Sequence, residues 1–367
     1  MASATLSSSP LLGTVLVTGG CGQLGFHLVH DLIEDPDCGP VYVLDRKVDD
    51  INVHDGATYV EGTISDVGKV ESLLRDIKPR VIFHAAAPNP TFPTGGDKDQ
   101  YETNVKGTEI LLTAATAHPS VKAFVFTSTV DAYANPPHEN VDESQSIFNA
   151  SSKTWAYGRT KAMADELVRA ANGPELRTVS LRTCHQYGER DEQTIPVAIN
   201  TCSGNRKLFQ IGTGENMMGV VSAENAAIAH SLAAKALLEP SRASGDVGGE
   251  AFNISDGVPI SFWYHMRLIW TFARGLNDLV DVTILPAWLG LAVASIAEWL
   301  YWGFTFGTKN PPVSVSRIAI SYCVHTHTYN IQKARERLGF SPVSNHDVVI
   351  KKAVEWELQS RLGNTVV

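Results

Sequence analysis

The sequence lacks the features that mark several common classes of protein. It has only five cysteines in 367 residues, and they include no C-x-x-C motif, so neither a disulfide framework nor a zinc site is indicated. So few thiols fit a reducing compartment, and we expect no metal site. Basic residues form no block and the net charge is −9, which argues against nucleic acid as a partner.

The beginning of the chain has neither the basic segment nor the long apolar run of a signal peptide. Residues 1–10 are rich in serine, and we expect a flexible tail over residues 1–12. The whole chain has an ordinary composition for a globular protein, with 44% hydrophobic and 19% charged residues. A chain of this length can form one large domain or two lobes with an ample core.

Three glycines between an apolar strand and a helix form the strongest local pattern. Residues 15–17 indicate a buried parallel strand, and Gly19, Gly22 and Gly25 follow it, before leucines at helical spacing. This order brings a pyrophosphate against backbone N–H groups at a helix N-terminus. The spacing G-x-x-G-x-x-G differs by one residue from the usual dinucleotide fingerprint, so a tight turn without a ligand is the alternative.

An acidic residue ends the next apolar stretch. Asp45 lies 20 residues after Gly25, where a carboxylate can accept hydrogen bonds from an adenosine ribose diol and would repel a 2′-phosphate. This position favours NAD over NADP. Arg46 follows directly and weakens the inference, because an arginine there can bind the additional phosphate of NADP.

Strand and helix patterns alternate from residue 14 to about residue 182, which predicts an α/β fold with a doubly wound parallel sheet of the Rossmann type. Strands are expected over residues 41–45, 58–62, 81–87, 121–128, 176–182 and 251–255. Helices are expected over residues 67–77, 103–117, 155–171, 223–238, 329–338 and 347–362, and a loop over residues 241–249. The alternation loosens beyond residue 190. We therefore expect an NAD-binding domain over residues 13–190 and a smaller, mostly helical substrate lobe over residues 191–367, interleaved with the sheet.

The pair Tyr157 and Lys161 is the second chemical signal. The two residues lie four positions apart on an expected helix and therefore share a face. An ammonium beside a phenol favours the phenolate, so this tyrosine could take a proton from a substrate hydroxyl near neutral pH. The same spacing recurs at Tyr329 and Lys333, but that copy lies far downstream, before a helix that looks solvated, and we assign it no catalytic role.

A hydroxyl that orients the substrate oxygen should complete the site. Thr127, Ser128 and Thr129 end a buried strand and are the candidates. For at least one of them, a local hydrogen bond to the backbone is the expected role.

Taken in order, these motifs resemble the extended short-chain dehydrogenase/reductases over roughly residues 13–355. The later half resembles the 3β-hydroxysteroid dehydrogenase group, and within it most closely the sterol-4α-carboxylate 3-dehydrogenases (decarboxylating). The resemblance is carried by Gly19-x-x-Gly22-x-x-Gly25, Asp45, His84-Ala-Ala-Ala87, Asn104-Val-Lys-Gly-Thr108, Thr127-Ser-Thr129, Tyr157-x-x-x-Lys161, and residues 181–188, 209–216, 224–230, 251–257, 262–263, 329–334 and 338–340.

The resemblance implies a set of site residues and an assembly, a homodimer. Tyr157, Lys161 and Thr129 would be catalytic. Thr129 and His185 are candidate contacts of the substrate, although a packed, neutral histidine is the alternative for His185. The residues implied to bind NAD are Gly19, Gly22, Gln23, Leu24, Gly25, Asp45, Arg46, Thr63, Ile64, Ala85, Ala86, Ala87, Asn104, Thr127, Tyr157, Lys161, Thr183 and Cys184.

Four positions depart from the pattern of the family. Thr129 stands where the third catalytic residue is usually serine, and its methyl group narrows the pocket. Thr63 replaces an aspartate that usually contacts adenine, Thr183 replaces a proline beside the nicotinamide, and Gly219 replaces an aspartate. The Tyr–Lys pair is intact, so the departures together indicate a specialised substrate.

An uncharged segment distinguishes the second half of the chain. Residues 282–297 contain no charged side chain, Glu298 interrupts, and the segment continues to residue 308. Five of the seven tryptophans lie between residues 263 and 302, which is typical of a segment in the membrane interface. A buried helical hairpin over the substrate pocket and a membrane span are the alternatives, although a full span takes ~20 apolar residues.

The same segment bears on the substrate. Sugar-nucleotide epimerases share the expected sheet and the Tyr–Lys pair, but they bind a second diphosphate, usually with basic residues in the C-terminal lobe. Residues 275–308 contain no lysine or arginine, so an apolar, polycyclic alcohol fits better.

We therefore predict an enzyme for the NAD-dependent oxidation of the 3β-hydroxyl of a sterol or triterpenoid. A carboxylate on C4 of the substrate would leave the 3-keto product as CO2. The expected location is the cytoplasmic face of the endoplasmic reticulum membrane, with peripheral contact, or the cytoplasm. The alternatives are a 3β-hydroxysteroid dehydrogenase without decarboxylation, a sugar-nucleotide epimerase or reductase, and a non-catalytic NAD-binding protein.

Overall fold

The structure, a computed structural model, describes residues 11–48, 50–89, 96–152, 154–204, 206–239, 246–306 and 316–363. Residues 1–10 of the expected tail, 241–245 of the expected loop and 307–308 of the uncharged segment lie outside the described residues. Leu12, which the sequence places in the tail, is fully buried, and its N–H donates to the Asp37 carbonyl at 2.8 Å. The folded body therefore includes Leu12.

A seven-stranded parallel sheet forms the centre of the fold. In the described residues the strands are β1 (Gly13–Thr18), β2 (Cys38–Asp45), β3 (Ala57–Glu61), β4 (Val81–His84), β5 (Ala123–Thr129), β6 (His138–Val141), β7 (Arg177–Thr183), β8 (His185–Tyr187), β9 (Phe209–Ile211), β10 (Met217–Met218), β11 (Val220–Ser222), β12 (Glu250–Ile254), β13 (Ile260–Ser261), β14 (Thr283–Leu285) and β15 (His327–Tyr329). The central sheet has the order β12-β7-β5-β4-β1-β2-β3. The chain proceeds outward in both directions from β1, so the crevice between β1 and β4 is the topological switch point, where open α/β sheets bind ligands.

Helices cover both faces of the sheet. They are α1 (Gln23–Glu34), α2 (Val67–Ile77), α3 (Gly96–Tyr101), α4 (Thr108–Ala117), α5 (Ala156–Ala170), α6 (Ile195–Cys202), α7 (Ala223–Leu238), α8 (Phe262–Ala273), α9 (Ala287–Phe304), α10 (Arg317–Val324), α11 (Gln332–Leu338) and α12 (His346–Gly363). Successive residues of β1 enter opposite cores, as expected of a strand. Val15 and Val17 pack with α1 and α7, and Leu16 packs with α2, α4 and α5. The predicted doubly wound α/β fold is confirmed.

The second half of the chain contributes to the sheet and also forms a smaller core. β12 pairs with β7 at the sheet edge, and α7 covers the sheet beside α1. A separate cluster around Trp263, Ile269 and Ile350 joins α8 to α12. The second half is therefore interleaved with the sheet, and the division of the chain near residue 190 stays a prediction.

Two expected helices differ from the structure. The helix expected over residues 103–117 begins with a π-helical stretch, Glu102–Gly107, before α4. The helix expected to begin at Tyr329 begins at Gln332. Tyr329 instead pairs with Val141 of β6, and the Asn330 side chain accepts the Gln332 N–H at 2.8 Å. Pairing with a distant strand thus overrides the helical pattern in the sequence.

The uncharged segment forms β14 and α9 on the surface. Only Ala294 of α9 is buried, and Trp288, Trp299 and Phe304 are 69%, 71% and 82% exposed. The alternative of a buried hairpin is therefore wrong for α9. None of the described helices is both long and apolar enough to cross a bilayer.

Candidate active site

The three glycines of the turn after β1 have two different roles. Gly19 has φ +76°, and a Cβ there would lie 2.6 Å from the Ala86 Cα. A Cβ on Gly25 would lie 2.1 Å from the Gly19 carbonyl oxygen. These two glycines let the turn and α1 pack against neighbouring backbone. Gly22 is different, because its nearest neighbour would be 3.5 Å from a Cβ, and it leaves room for a ligand.

The first turn of α1 provides donors for an anion. Gly22 is the N-cap residue, and no side chain caps the helix, so the first N–H groups have no partner within the helix. Such groups bind phosphate at helix N-termini. The Gln23 side chain does not cap them; it donates to the Gly188 carbonyl at 3.4 Å. Leu24 packs in the core.

A cavity of about 340 Å³ opens at the carboxyl ends of β1 to β4, within the size range of small-molecule sites. The predicted cofactor-binding residues that line it are Gly19, Gly22, Asp45, Arg46, Thr63, Ile64, Ala85, Ala86 and Ala87. Sequence reasoning missed other lining residues, namely Cys21, Lys47, Asn52, Thr103 and Glu192. Cys21 and Thr103 stand next to the predicted residues Gly22 and Asn104, and the other three lie outside the expected strands and helices, where no motif marks them.

Asp45 and Arg46 point to different partners. One Asp45 carboxylate oxygen accepts the Cys21 N–H at 3.0 Å, which holds the acid over the glycine turn. Arg46 pairs with Asp99 at 3.6 Å. The carboxylate therefore faces the cavity, and the guanidinium is held by another acid.

Asn104 lies inside the π-helical stretch and joins it to α5. Its side-chain N–H groups donate to the Gln100 side chain at 2.8 Å and to the Thr160 hydroxyl at 3.0 Å. Its side-chain oxygen is buried without a hydrogen-bond partner. π-bulges often occur at functional sites. The unsatisfied oxygen leaves Asn104 able to accept a hydrogen bond from a donor on a ligand.

Tyr157 and Lys161 lie on α5 at the carboxyl end of β5. The Lys161 ammonium is buried, donates to the Thr127 carbonyl at 2.6 Å and lies 4.3 Å from the centre of the Phe126 ring. Burial lowers the pKa of Lys161 to about 7, and the Asp165 charge opposes this shift. Lys161 can therefore exchange a proton near neutral pH.

The Tyr157 phenol contacts the end of β5. Burial and the negative charge of Asp131 raise the pKa of Tyr157, whereas a hydrogen bond with the Thr129 side chain lowers it. The structure thus brings Thr129 and Tyr157 together, as the sequence predicts. Asp131 follows the motif Thr127-Ser-Thr129, and no sequence pattern marks its proximity to Tyr157.

Several predicted residues have side chains that are buried or hydrogen-bonded to other parts of the protein. The Thr127 hydroxyl hydrogen-bonds His230 at 2.7 Å, and Thr183 donates to the Ser128 carbonyl at 3.2 Å. Cys184 is buried, and burial raises the pKa of its thiol. His185 is half-buried and lies 3.3 Å from the Thr194 hydroxyl. Their roles towards a ligand stay predictions.

A buried ion pair supports α5 from the sheet. Arg182 on β7 donates two hydrogen bonds to Asp165, at 3.1 and 2.9 Å, and Ser180 donates a third at 2.8 Å. Asp165 follows Lys161 by one helical turn. A carboxylate on the buried face of an expected helix is a signal that could have identified this pair.

The second Tyr–Lys spacing is structural. Tyr329 hydrogen-bonds His138 at 2.9 Å, and Lys333 pairs with Glu250 at 2.7 Å. The two residues belong to β15 and α11, so they share no helix face. The absence of a catalytic role for this copy fits its geometry. The described residues also contain no cluster of side chains suited to a metal ion.

Comparison with known proteins identifies the family to which this chain belongs. The family model described as "3-beta hydroxysteroid dehydrogenase/isomerase family" matches residues 16–279, a stretch that includes the glycine turn, β5 and α5. The chain belongs to the 3-beta hydroxysteroid dehydrogenase/isomerase family. The resemblance found in the sequence is therefore confirmed at the level of the family.

Relatives within this family match nearly their full length. The decarboxylating sterol-4-alpha-carboxylate 3-dehydrogenase of Gibberella zeae is 33% identical over 301 residues, 81% of this chain and 97% of the relative. The protein of the same name from Schizosaccharomyces pombe is 29% identical over 351 residues, 94% of this chain and 97% of the relative.

Solved structures confirm the fold of this family member. The dTDP-glucose 4,6-dehydratase of Streptomyces venezuelae, crystallised with NAD, superposes with a TM-score of 0.71 at 22% identity, covering 95% of this chain and 98% of that protein. Likeness at this level of identity supports the fold and not the substrate.

Proposed function

We propose that the protein oxidises the 3β-hydroxyl of a sterol or triterpenoid that bears a carboxylate on C4, with NAD+ as hydride acceptor and CO2 as second product. The observation that carries the proposal is the contact of Tyr157 with Thr129 at the carboxyl end of β5, next to β4, after which Ala85, Ala86 and Ala87 line the cavity. The chain around it is similar to decarboxylating sterol-4-alpha-carboxylate 3-dehydrogenases over 97% of their length.

The residues around the cavity fit NAD. The uncapped N-terminus of α1 and the open side of Gly22 suit the pyrophosphate, and Asp45 suits the ribose diol. The pairing of Arg46 with Asp99 favours NAD over NADP. Bound NAD+ supplies the acceptor for the hydride, and Lys161, buried at the carboxyl end of β5, would hydrogen-bond the nicotinamide ribose.

The chain's own residues handle the alcohol proton and the substrate oxygen. Tyr157 receives the proton as the alcohol becomes a ketone, and its hydroxyl then donates to the ketone oxygen. Thr129 positions Tyr157 through the hydrogen bond between them. A β-keto acid loses CO2 because the ketone accepts the electron pair, so a hydrogen bond to that oxygen also favours the decarboxylation.

The proposal is tested with purified protein, NAD+ and a 3β-hydroxy-4-carboxysterol. Wild type should form NADH and CO2 in equal amounts, and Tyr157→Phe should lose both while it still binds NAD+. Tyr42→Phe is a matched control, because Tyr42 is a partly buried tyrosine on β2 and is assigned no role in the reaction. Unchanged turnover by Tyr157→Phe would contradict the mechanism.

A second candidate is oxidation of a 3β-hydroxyl without decarboxylation. The observation that favours it is Asp131, whose carboxylate lies beside Thr129 and Tyr157 and, when ionised, repels a carboxylate on C4. Mass spectrometry of the products from paired sterols with and without the C4 carboxylate separates the two candidates. A preference of kcat/KM for the uncharged sterol would favour the second.

A sugar-nucleotide substrate is less well supported than a sterol. The structural neighbours whose names specify such substrates are 19–22% identical, and residues 275–308 offer no cation for a second diphosphate. A thermal-shift comparison of UDP-sugars with sterols tests this point, and stabilisation by a UDP-sugar alone would replace the sterol proposal.

We infer that α9 lies in a membrane interface, on the cytoplasmic face of the endoplasmic reticulum. The exposed Trp288, Trp299 and Phe304 have the character of side chains that insert at the boundary of headgroups and acyl chains. An apolar substrate could then enter from the bilayer. A homodimer, the assembly expected from the family resemblance, is part of the same proposal and is measured by sedimentation velocity.

A further inference from the structure

Asp131 lies beside the reacting hydroxyl group of Tyr157, in the turn Val130–Ala132 that follows β5. A Cβ on Gly158 would lie 2.6 Å from the Asp131 carbonyl oxygen. Helix α5 therefore approaches this turn as closely as a glycine allows. The close approach brings Asp131 next to Tyr157, the residue before Gly158.

Thr129 links the carboxyl group of Asp131 to the phenol of Tyr157. Its oxygen accepts the Asp131 N–H at 3.1 Å, and its side chain lies close enough to both groups to lower the pKa of each by hydrogen bonding. A hydroxyl has one proton to donate, and an ionised carboxylate only accepts. Thr129 therefore donates to ionised Asp131, and the Tyr157 O–H donates to Thr129.

The other titratable groups that face Asp131 are neutral near pH 7. They are Tyr157 from α5, Cys184 after β7, Tyr322 from α10 and Tyr329 from β15, and burial, followed by the charge of Asp131, raises the pKa of each. Burial also raises the pKa of Asp131 to about 6, against the Thr129 hydrogen bond. Asp131 is thus ionised at pH 7, yet more basic than an ordinary aspartate.

We propose that Asp131 is the final acceptor of the proton that leaves the substrate hydroxyl, with Tyr157 and Thr129 transmitting it. The proposal rests on the function proposed above. As the hydride leaves C3 for NAD+, the substrate O–H bond breaks and its proton goes to the Tyr157 oxygen. The Tyr157 proton passes to Thr129 and the Thr129 proton to Asp131. The products are the ketone, NADH and a neutral carboxyl group, which then releases its proton to solvent.

This route avoids an unfavourable charge pair. A free phenolate at Tyr157 would form beside ionised Asp131, which raises the pKa of that phenol. Proton transfer from Tyr157 through Thr129 neutralises Asp131 in the same step, so the two negative charges never coexist.

The first test is the pH profile of kcat/KM. In wild type, kcat/KM should fall as the pH drops below about 6, because protonated Asp131 accepts no proton. Asp131→Asn should lose about 100-fold at pH 7, within the usual range for general base catalysis. It should recover as the pH rises, because phenolate formation at Tyr157 is no longer opposed. Asp142→Asn, on an exposed turn, should keep the wild-type profile. A loss that is equal at every pH, or no loss, would overturn the proposal.

The second test needs no turnover. In protein labelled with [4-13C]aspartate, the Asp131 carboxyl resonance is assigned by its loss in Asp131→Asn. Thr129→Val removes the donated hydrogen bond and should move the Asp131 midpoint to higher pH, whereas Thr129→Ser should keep it near the wild-type value. An identical midpoint in all three proteins would overturn the chain of hydrogen bonds. If wild type forms no NADH from any 3β-hydroxy sterol, the proposed function fails. These midpoints still decide whether Thr129 connects Tyr157 to Asp131 by hydrogen bonds.

Discussion

At the scale of single residues, Asp45 and Arg46 illustrate how neighbours in sequence divide between two tasks. The sequence favours NAD, and the arginine directly after the acid weakens that inference. Both residues line the cavity, and their contacts distinguish them, since Asp45 accepts the Cys21 N–H above the glycine turn and Arg46 pairs with Asp99. No sequence pattern contains the Arg46–Asp99 pairing, which joins the residue after β2 to helix α3.

The different contacts of Asp45 and Arg46 predict different effects of their substitution on NAD affinity. Asp45→Ala should raise the Kd for NAD+ about 10- to 100-fold, because a hydrogen bond to a charged group contributes ~1.5–3 kcal/mol. Arg46→Ala should change it little. Isothermal titration with NAD+ and NADP+ measures both, and equal losses in the two variants would contradict the assignment.

Lys161 makes stability depend on pH. Its folded-state pKa, about 7, lies below the ordinary lysine value, so between the two values the unfolded chain binds more protons than the native protein. The free energy of unfolding should therefore rise with pH above about 7, by at most about 5 kcal/mol at ~1.4 kcal/mol per pKa unit. Urea unfolding of wild type and Lys161→Met between pH 6 and 9 measures this. A wild-type slope that Lys161→Met retains would assign the effect to another group.

The site shows which residue roles the sequence can predict. Tyr157 and Thr129 were identified because helix period and strand order place them together. Thr127 belongs to the same motif, yet its hydroxyl is bound by His230, 103 residues away. Asp131 was missed because its proximity to Tyr157 comes from the packing of α5 on the turn after β5. Contacts of this kind depend on tertiary approach and carry no periodicity.

At the scale of elements, Gly158 sets the distance between α5 and the turn Val130–Ala132. In a helix interior, glycine to alanine normally stabilises by ~1 kcal/mol. Gly158→Ala should instead destabilise by roughly 1–3 kcal/mol, the cost of overpacking, because its Cβ would lie 2.6 Å from the Asp131 carbonyl. Gly173→Ala is the matched control, since its Cβ would meet nothing within 4 Å. Thermal unfolding measures both, and equal effects would show that α5 can move away at no cost.

Element prediction succeeded where hydrophobic periodicity decides and failed where a distant partner does. The inner strands β1, β4 and β5 were found because they contain continuous apolar runs buried on both faces. The start of α11 was misplaced because Tyr329 is paired with β6, nearly 190 positions earlier in the chain. The π-helical stretch around Asn104 was predicted as α-helix, because its apolar residues recur at nearly the spacing of an α-helix.

At the scale of the whole molecule, the exposed apolar helix α9 sets how the protein meets its surroundings. Composition identified the segment as uncharged, but its exposure depends on what the rest of the chain covers. In the described residues, α10 packs against it, and Gly290 of α9 faces Ile211 of β9. Soluble proteins seldom expose contiguous apolar surface of this kind without a partner or a membrane.

Binding to vesicles tests the membrane proposal. Wild type should co-sediment with phosphatidylcholine vesicles, and a triple change of Trp288, Trp299 and Phe304 to serine should reduce the bound fraction about tenfold or more, since each large apolar side chain contributes ~1.5–3 kcal/mol on burial. Val67→Ser with Val348→Ser, at exposed apolar positions elsewhere, is the control. Equal binding by all three proteins would exclude α9 as the contact.

An exposed apolar helix such as α9 changes which measure of substrate concentration determines the rate. An enzyme held at a bilayer samples its sterol by diffusion in two dimensions, so its rate follows the mole fraction of sterol among the lipids and not the amount per litre. Adding inert phospholipid at constant total sterol would then slow the reaction by surface dilution. The exposed tryptophans of α9 would thus make the rate depend on lipid composition, even though none of them contacts the reacting atoms.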